Sequence, residues 1–176
     1  VRLRLTCVPC PALENDLMPR IAVLVPCYNE EAAIPKVIDD FRRALPEAAI
    51  YVYDNNSRDR TMEVAQQAGA IVRRETLQGK GNVVRRMFAD VEADIYIMVD
   101  GDDTYDASAA PKLARKLIEE GLDIVSGRRI ATRTGAYRPG HVFGNRLLTG
   151  LTALLFQVEL HDMLTGYRVM SRRFVK

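Results

Sequence analysis

With 176 residues, the chain has room for one domain with a substantial core and too little for two ordinary domains. Hydrophobic residues make up 48% and charged residues 27%, a globular, soluble composition that excludes disorder. The formal net charge of +2 gives no reason to expect a nucleic-acid partner.

In chain order, residues 1–17 come first. Pro9 and Pro11 interrupt the segment after Arg2 and Arg4, so no apolar run suits a signal peptide, and it reads as an N-terminal tail. Its Cys7 and Cys10 form CVPC, the spacing of half a zinc site or of a redox pair. No second ligand pair follows for the zinc site; for the redox pair, only six residues precede Cys7 and Pro11 follows Cys10. Cys27 ends an apolar run and reads as a small core residue. An odd cysteine count without disulfide spacing fits a reducing compartment.

From residue 18 onward strands and helices alternate. Residues 21–25 (IAVLV) are a continuous apolar run, the pattern of a strand buried on both faces. Ile34, Val37, Ile38, Phe41 and Leu45 follow with helical spacing, and Pro35 falls in the first turn. Residues 50–53 (IYVY) read as a second strand. Residues 61–68 read as a short helix with Ser57 or Asp59 as its cap and Gly69 as its stop. A third strand is expected at 70–73, then a helix at 82–91 with Val83, Val84, Met87, Phe88 and Val91 inward. A fourth strand is expected at 95–99, a helix at 109–120 and a fifth strand at 122–126. Residues 128–141 are basic with two glycines and read as a loop. Residues 142–156 are strongly apolar: a core helix, or a helix with one face for a membrane surface. No stretch approaches the roughly 20 apolar residues of a membrane span. SRRFVK at 171–176 reads as the opening of another helix, so the domain at 18–176 is expected to be cut short at its C-terminal end.

The alternation predicts an α/β fold, a mainly parallel, Rossmann-like sheet with helices on both faces. Ligands of such sheets collect beyond the carboxyl ends of the strands. Three polar clusters fall there: PCYNEE after the first strand, DNNSRD after the second and DGDD after the fourth. In DGDD like charges repel, and a carboxylate beside an apolar strand is costly without a partner. A divalent cation cancels that cost, and Mg²⁺ accepts one or two carboxylates when substrate phosphates complete its shell. A solvated helix N-terminus is the plainer alternative. Asp54, last in its strand, can accept from a base N–H. Tyr28 offers a flat face for a base or ribose, and Glu30 can accept from ribose hydroxyls. Gly79-Lys80-Gly81 precedes a helix whose backbone N–H groups can meet phosphate, with Arg85 a little over one turn on. Arginines recur as Arg73-Arg74, Arg85-Arg86, Arg128-Arg129, Arg133 and Arg138, and at loop positions their planar forks suit phosphate. His141 and His161 read as loop or core residues.

VPCYNEE, YDNNSRD, LQGKGNVVRRM, VDGDDTY and HDMLTGYRVM, in this order and spacing over about residues 20–175, resemble a family 2 glycosyltransferase of the GT-A fold. The subgroup they are most similar to is the dolichol-phosphate or polyprenyl-phosphate sugar synthases. The resemblance implies donor-nucleotide contacts from Pro26, Tyr28, Glu30, Asp54, Lys80, Arg85, Asp100, Gly101 and Asp102. It implies a Mg²⁺ or Mn²⁺ ion on Asp100 and Asp102, and an acceptor phosphate on Arg128 and Arg168. Asp100, Asp102, Asp162 and Arg168 are then the catalytic set. At the second motif the family has a second Asp and a Gly where this chain has Asn55 and Asn56.

The implied reaction is inverting transfer of a sugar from UDP or GDP to a lipid phosphate at a membrane surface, by a protein that is cytoplasmic or peripheral at the cytoplasmic face. A phosphate acceptor needs no general base. A saccharide hydroxyl, the alternative acceptor, needs one, and Asp162 is the candidate. A domain that binds nucleotide sugar without turnover is the reading from a different class.

Overall fold

The computed structural model describes residues 19–127 and 165–176. The predicted tail, CVPC, the basic loop, the apolar stretch at 142–156, His141, His161, Arg128 and Asp162 all lie outside the described residues.

The elements follow the expected alternation. They are β1 (Ile21–Cys27), α1 (Ile34–Ala44), β2 (Ala49–Asp54), α2 (Thr61–Gln67), β3 (Ile71–Arg74), α3 (Lys80–Asp90) and β4 (Ile95–Met98). A 3-10 turn (Ala107–Ala109), α4 (Ala110–Glu119), β5 (Ile124–Ser126), β6 (Arg168–Ser171) and α5 (Arg172–Val175) complete the set. The strands form one sheet in the order β3-β2-β1-β4-β6-β5. β1 lies parallel to β2 and β4, and β2 lies parallel to β3. β6 runs antiparallel to both β4 and β5.

β1 alternates across the sheet as a strand must. Val23, Val25 and Cys27 face the layer of α1, α2 and α4, against Ile34, Ile38, Phe41, Ala65, Ala110 and Leu117. Ala22 and Leu24 face the opposite layer, with Tyr53, Tyr96, Met98 and Met170 under Val83 and Met87 of α3. Burial on both faces is why IAVLV carries no polar residue. Of the five inward residues predicted on α3, Val83, Met87 and Val91 are buried, whereas Val84 and Phe88 are only partly so.

Three expectations are corrected. β6 was not foreseen: its RVMS sits within a polar motif and is too short for its periodicity to stand out, yet it fills the gap between β4 and β5. The loop positions suggested for the paired arginines do not apply to Arg73-Arg74 and Arg85-Arg86, which lie on β3 and α3, as the expected strand at 70–73 and helix at 82–91 already imply for all but Arg74. Arg86 and Arg73 both donate to Asp90 Oδ2, at 2.8 and 3.1 Å, and the Tyr53 hydroxyl donates to the same atom at 3.1 Å. Nor does DGDD cap a helix. The side chain of Asp106 accepts from the Ser108 N–H at 2.9 Å to begin the 3-10 turn, four residues beyond Asp102.

Topology then fixes where the chemistry sits. The chain winds from β1 outward to β3, then crosses back to place β4 on the other side of β1. The crevice beyond the carboxyl ends of β1 and β4 is the switch point at which such sheets bind ligands. The antiparallel β6 begins, with Arg168 opposite Met98, at that same edge.

Candidate functional site

The loops after β1 and β2 are joined by reciprocal bonds. The Asn29 N–H donates to Ser57 Oγ at 2.8 Å, and the Arg58 N–H donates back to Asn29 Oδ1 at 2.8 Å. The Glu31 N–H donates to Asp59 Oδ2 at 3.1 Å, and the Arg60 N–H returns to Glu31 Oε2 at 2.7 Å. The Glu30 N–H donates to Thr61 Oγ1 at 2.8 Å. Neither predicted cap begins α2, whose N-cap position is Arg60 without a side-chain cap bond; Asp59, one residue earlier, accepts from the Thr61 N–H at 3.0 Å. Ser57 serves the neighbouring loop instead. NEE and SRDRT are thus one scaffold, which holds Glu30 at the crevice.

Non-glycine residues with positive φ cluster at these strand ends: Asn29 at 57°, Asn56 at 66° and Asp103 at 58°. Asn and Asp tolerate this conformation better than other L-residues, which accounts for their abundance in YNEE, DNNS and DGDD. Backbone strain of this kind concentrates at functional sites.

The DGDD segment packs close to β1. A Cβ on Gly101 would lie 2.7 Å from Cys27 Sγ, so only glycine lets the segment lie there. Burial pushes the Cys27 thiol up, and the nearby charges of Glu30, Asp54, Asp100 and Asp59 add to the effect. Burial likewise holds the Glu30 carboxyl above its usual range, with Asp102, Asp59 and Asp100 adding to it. The crevice is therefore a place of excess negative field that favours a cation.

Asp100 meets that field with an ion pair to the ammonium of Lys80 at the start of α3. Its other oxygen faces the backbone of Gly166, where any Cβ would overlap it. The Gly166 N–H donates to the Tyr105 hydroxyl at 2.6 Å, and the Tyr105 and Tyr167 rings meet edge to face at 5.5 Å. Thr165 Oγ1 donates to the Gly127 carbonyl at 2.7 Å, which ties the TGYR segment to the end of β5. Asp102 is exposed, and its Oδ1 accepts from the Thr104 N–H at 3.1 Å. Asp103 pairs instead with Lys36 of α1, at 2.7 Å.

The structure thus brings Glu30, Lys80, Asp100, Gly101 and the TGYR backbone to one edge. Tyr28 stands nearby with 47% of its surface exposed, free to stack on a ring. Pro26 lies within β1 opposite Tyr53. Two expected contacts are placed differently. Asp54 is 1% exposed, and both its oxygens accept from the Ser57 N–H, at 3.1 and 3.3 Å, so it builds the turn from beneath. The Gly79 N–H, expected to face phosphate, donates instead to Asn55 Oδ1 at 2.7 Å. Arg85 is exposed on α3 about 140° around the helix from Lys80, at 100° per residue.

As donors to a metal, Asp100 and Asp102 are hard oxygens. Among the described residues no group of three or more His, Cys, Asp or Glu side chains is arranged to hold an ion. The pair therefore suits a cation that completes its shell from ligand phosphate and water, the habit of Mg²⁺. The glycine at 166, which leaves Asp100 room, fits the same use.

The family model of glycosyl transferase family 2 matches residues 22–176. The chain belongs to that family. Protein RfbJ of Shigella flexneri is 60% identical over 122 residues, which cover 69% of this chain and 95% of RfbJ. A dolichyl-phosphate hexose transferase of Haloferax volcanii is 34% identical over 155 residues, covering 88% and 68% of the two chains. Glucosyl-3-phosphoglycerate synthase of Mycobacterium tuberculosis, solved with Mn²⁺ and UDP-glucose, superposes with a TM-score of 0.70 at 28% identity. That match covers 88% of this family 2 chain and 57% of the synthase, so the chain spans little more than half the synthase's length. The expected GT-A architecture is borne out by this likeness.

Proposed function

We propose that this chain is an inverting glycosyltransferase that takes a sugar from a nucleoside-diphosphate donor and transfers it to a polyprenyl or dolichyl phosphate. The observation that carries the donor half is the group at the switch point: Lys80 on Asp100, with Asp102 and Glu30 beside them. Lys80 and a divalent cation on Asp100 and Asp102 are opposite charges suited to a diphosphate. The cation, when bound, supplies charge stabilisation for the leaving nucleoside diphosphate. Tyr28 offers its exposed ring to the base, and Glu30 accepts from the ribose.

The acceptor half rests on Arg168, at the crevice end of β6, and on Arg128 and Asp162 from the sequence pattern. The names of the relatives support it: one acts as a dolichyl-phosphate hexose transferase, and the synthase bears a phosphorylated acid in its own. The proposal places the protein in the cytoplasm or peripherally at the cytoplasmic face, where nucleotide sugar and lipid phosphate meet; among the described residues no helix is long and apolar enough to cross a membrane. The domain assignment, 18–176 behind a tail at 1–17, belongs to the same proposal.

Calorimetric titration with UDP, GDP and their sugar conjugates, with and without Mn²⁺, tests the donor half. Metal-dependent binding of one nucleotide, lost in Asp102→Ala, is expected. A folded protein that binds none of them refutes it.

A further inference from the structure

Among the residues of the second motif, Asn55 stands where the family pattern has an acid, and its burial calls for an explanation. It is 4% exposed at the carboxyl end of β2. A carboxamide has two N–H donors and one oxygen with two lone pairs. All four are used, and all on one segment. Asn55 Nδ2 donates to the Glu75 and Leu77 carbonyls, both at 2.9 Å. Asn55 Oδ1 accepts from the Gly79 N–H at 2.7 Å and from Gln78 Nε2 at 3.3 Å. Asn56 adds a parallel set: its Nδ2 donates to the Thr76 carbonyl at 2.9 Å and to Gln78 Oε1 at 3.2 Å. The Asn55 backbone N–H is anchored to the Cys27 carbonyl of β1 at 2.9 Å.

Gly79, whose φ of 123° only glycine adopts readily, immediately precedes Lys80. A continuous path therefore runs from the β1 backbone through Asn55 and Gly79 to Lys80 and its partner Asp100. We infer that Asn55 is a positioning residue: by holding Gly79 it sets Lys80 beside Asp100 and thereby sets the affinity of the site for a nucleoside diphosphate. This rests on the donor-site reading above. Asparagine is the type the segment requires. An aspartate has no hydrogen for the Glu75 and Leu77 carbonyls and would turn a negative charge toward them.

The test is a double-mutant cycle on Asn55→Asp and Lys80→Met, read as the affinity for UDP and GDP with Mn²⁺, with urea unfolding run alongside. For whichever nucleotide the wild type binds, each single variant is expected to bind about tenfold more weakly. The double variant should bind within about twofold of Lys80→Met, since Asn55 acts through Lys80. A merely structural role would lower stability while leaving affinity per folded molecule unchanged, or would add independently to the Lys80 effect. Either result overturns the inference but leaves the donor site standing. Asn55→Ser keeps one donor and one acceptor, and an intermediate affinity is expected of it. Hydrogen exchange in the wild type provides a check without substitution. The Gly79 amide should exchange more slowly than that of Thr76, and an unprotected Gly79 amide overturns the clamp. Absence of any nucleotide binding by the wild type overturns the donor-site reading and this inference together.

Discussion

Placing a methyl group on Gly101 probes how tightly the DGDD segment is set on β1. The new Cβ would lie 2.7 Å from Cys27 Sγ, 3.5 Å from Glu30 Cγ and 3.6 Å from Ile34 Cδ1. The last two are ordinary contacts; the first is about 1 Å too short by the usual optimum of 3.5–4.0 Å. Cys27 cannot easily yield, because it ends a strand paired on both sides and is 3% exposed. Overpacking of this kind costs about 1–3 kcal/mol. Replacing glycine also reduces the freedom of the unfolded chain, which returns about 0.4–1 kcal/mol where the backbone is compatible, and the φ of Gly101 is not in the left-handed region. Gly101→Ala is therefore expected to lose about 1–2 kcal/mol. Cys27→Ala alone removes one buried sulfur and should lose about 1 kcal/mol. In the double variant the new methyl occupies the space the sulfur vacates, so its loss should fall below the sum of the two by about 1 kcal/mol or more. Urea unfolding of the four proteins, with the denaturant slope checked for constancy, measures this. Strict additivity, or a Gly101→Ala protein as stable as the wild type, refutes the packing argument.

Further outcomes follow from the same geometry. Gly166→Ala should displace Asp100, and Mn²⁺-dependent nucleotide binding should weaken at least tenfold with the secondary structure intact by circular dichroism. Tyr105→Phe removes the acceptor for the Gly166 N–H and should cost about 1 kcal/mol in urea, as expected of one lost hydrogen bond. Arg86 first, then Tyr53 and Arg73, hold the Asp90 carboxyl below its ordinary value of 3.8. A depressed acid contributes stability above its unfolded value that is lost as pH falls through its folded one. Urea midpoints should therefore drop below about pH 4, and Asp90→Asn should show a shallower drop in that window. The Cys27 thiol, raised by burial, should resist alkylation at pH 8 in the folded protein and react once urea unfolds it.

The elements that local chemistry dictates were legible in the sequence. Residues 21–25 announce a doubly buried strand by having no polar residue, and the spacing of Ile34, Val37, Ile38 and Phe41 announces α1. Strand-helix alternation is enough to place YNEE, DNNS and DGDD at one sheet edge. The ordered motifs carried the family as well, since polar residues at the end of buried strands are costly unless they have work to do.

What only the tertiary structure decided concerns partners distant in the chain. β6 became a strand because β4 and β5 both leave an open edge for it, a fact of assembly that its four residues do not encode. One arginine of each pair, Arg73 of β3 and Arg86 of α3, turned out to meet Asp90 because β3 and α3 lie against the same end of β2. Lys80 found Asp100, and Asn55 found Gly79, across loops that sequence spacing cannot align. Residue types and periodicity record what each segment can do alone. Which carboxylate an ammonium meets, and which N–H a buried carboxamide holds, depends on how the sheet crosses over at β1.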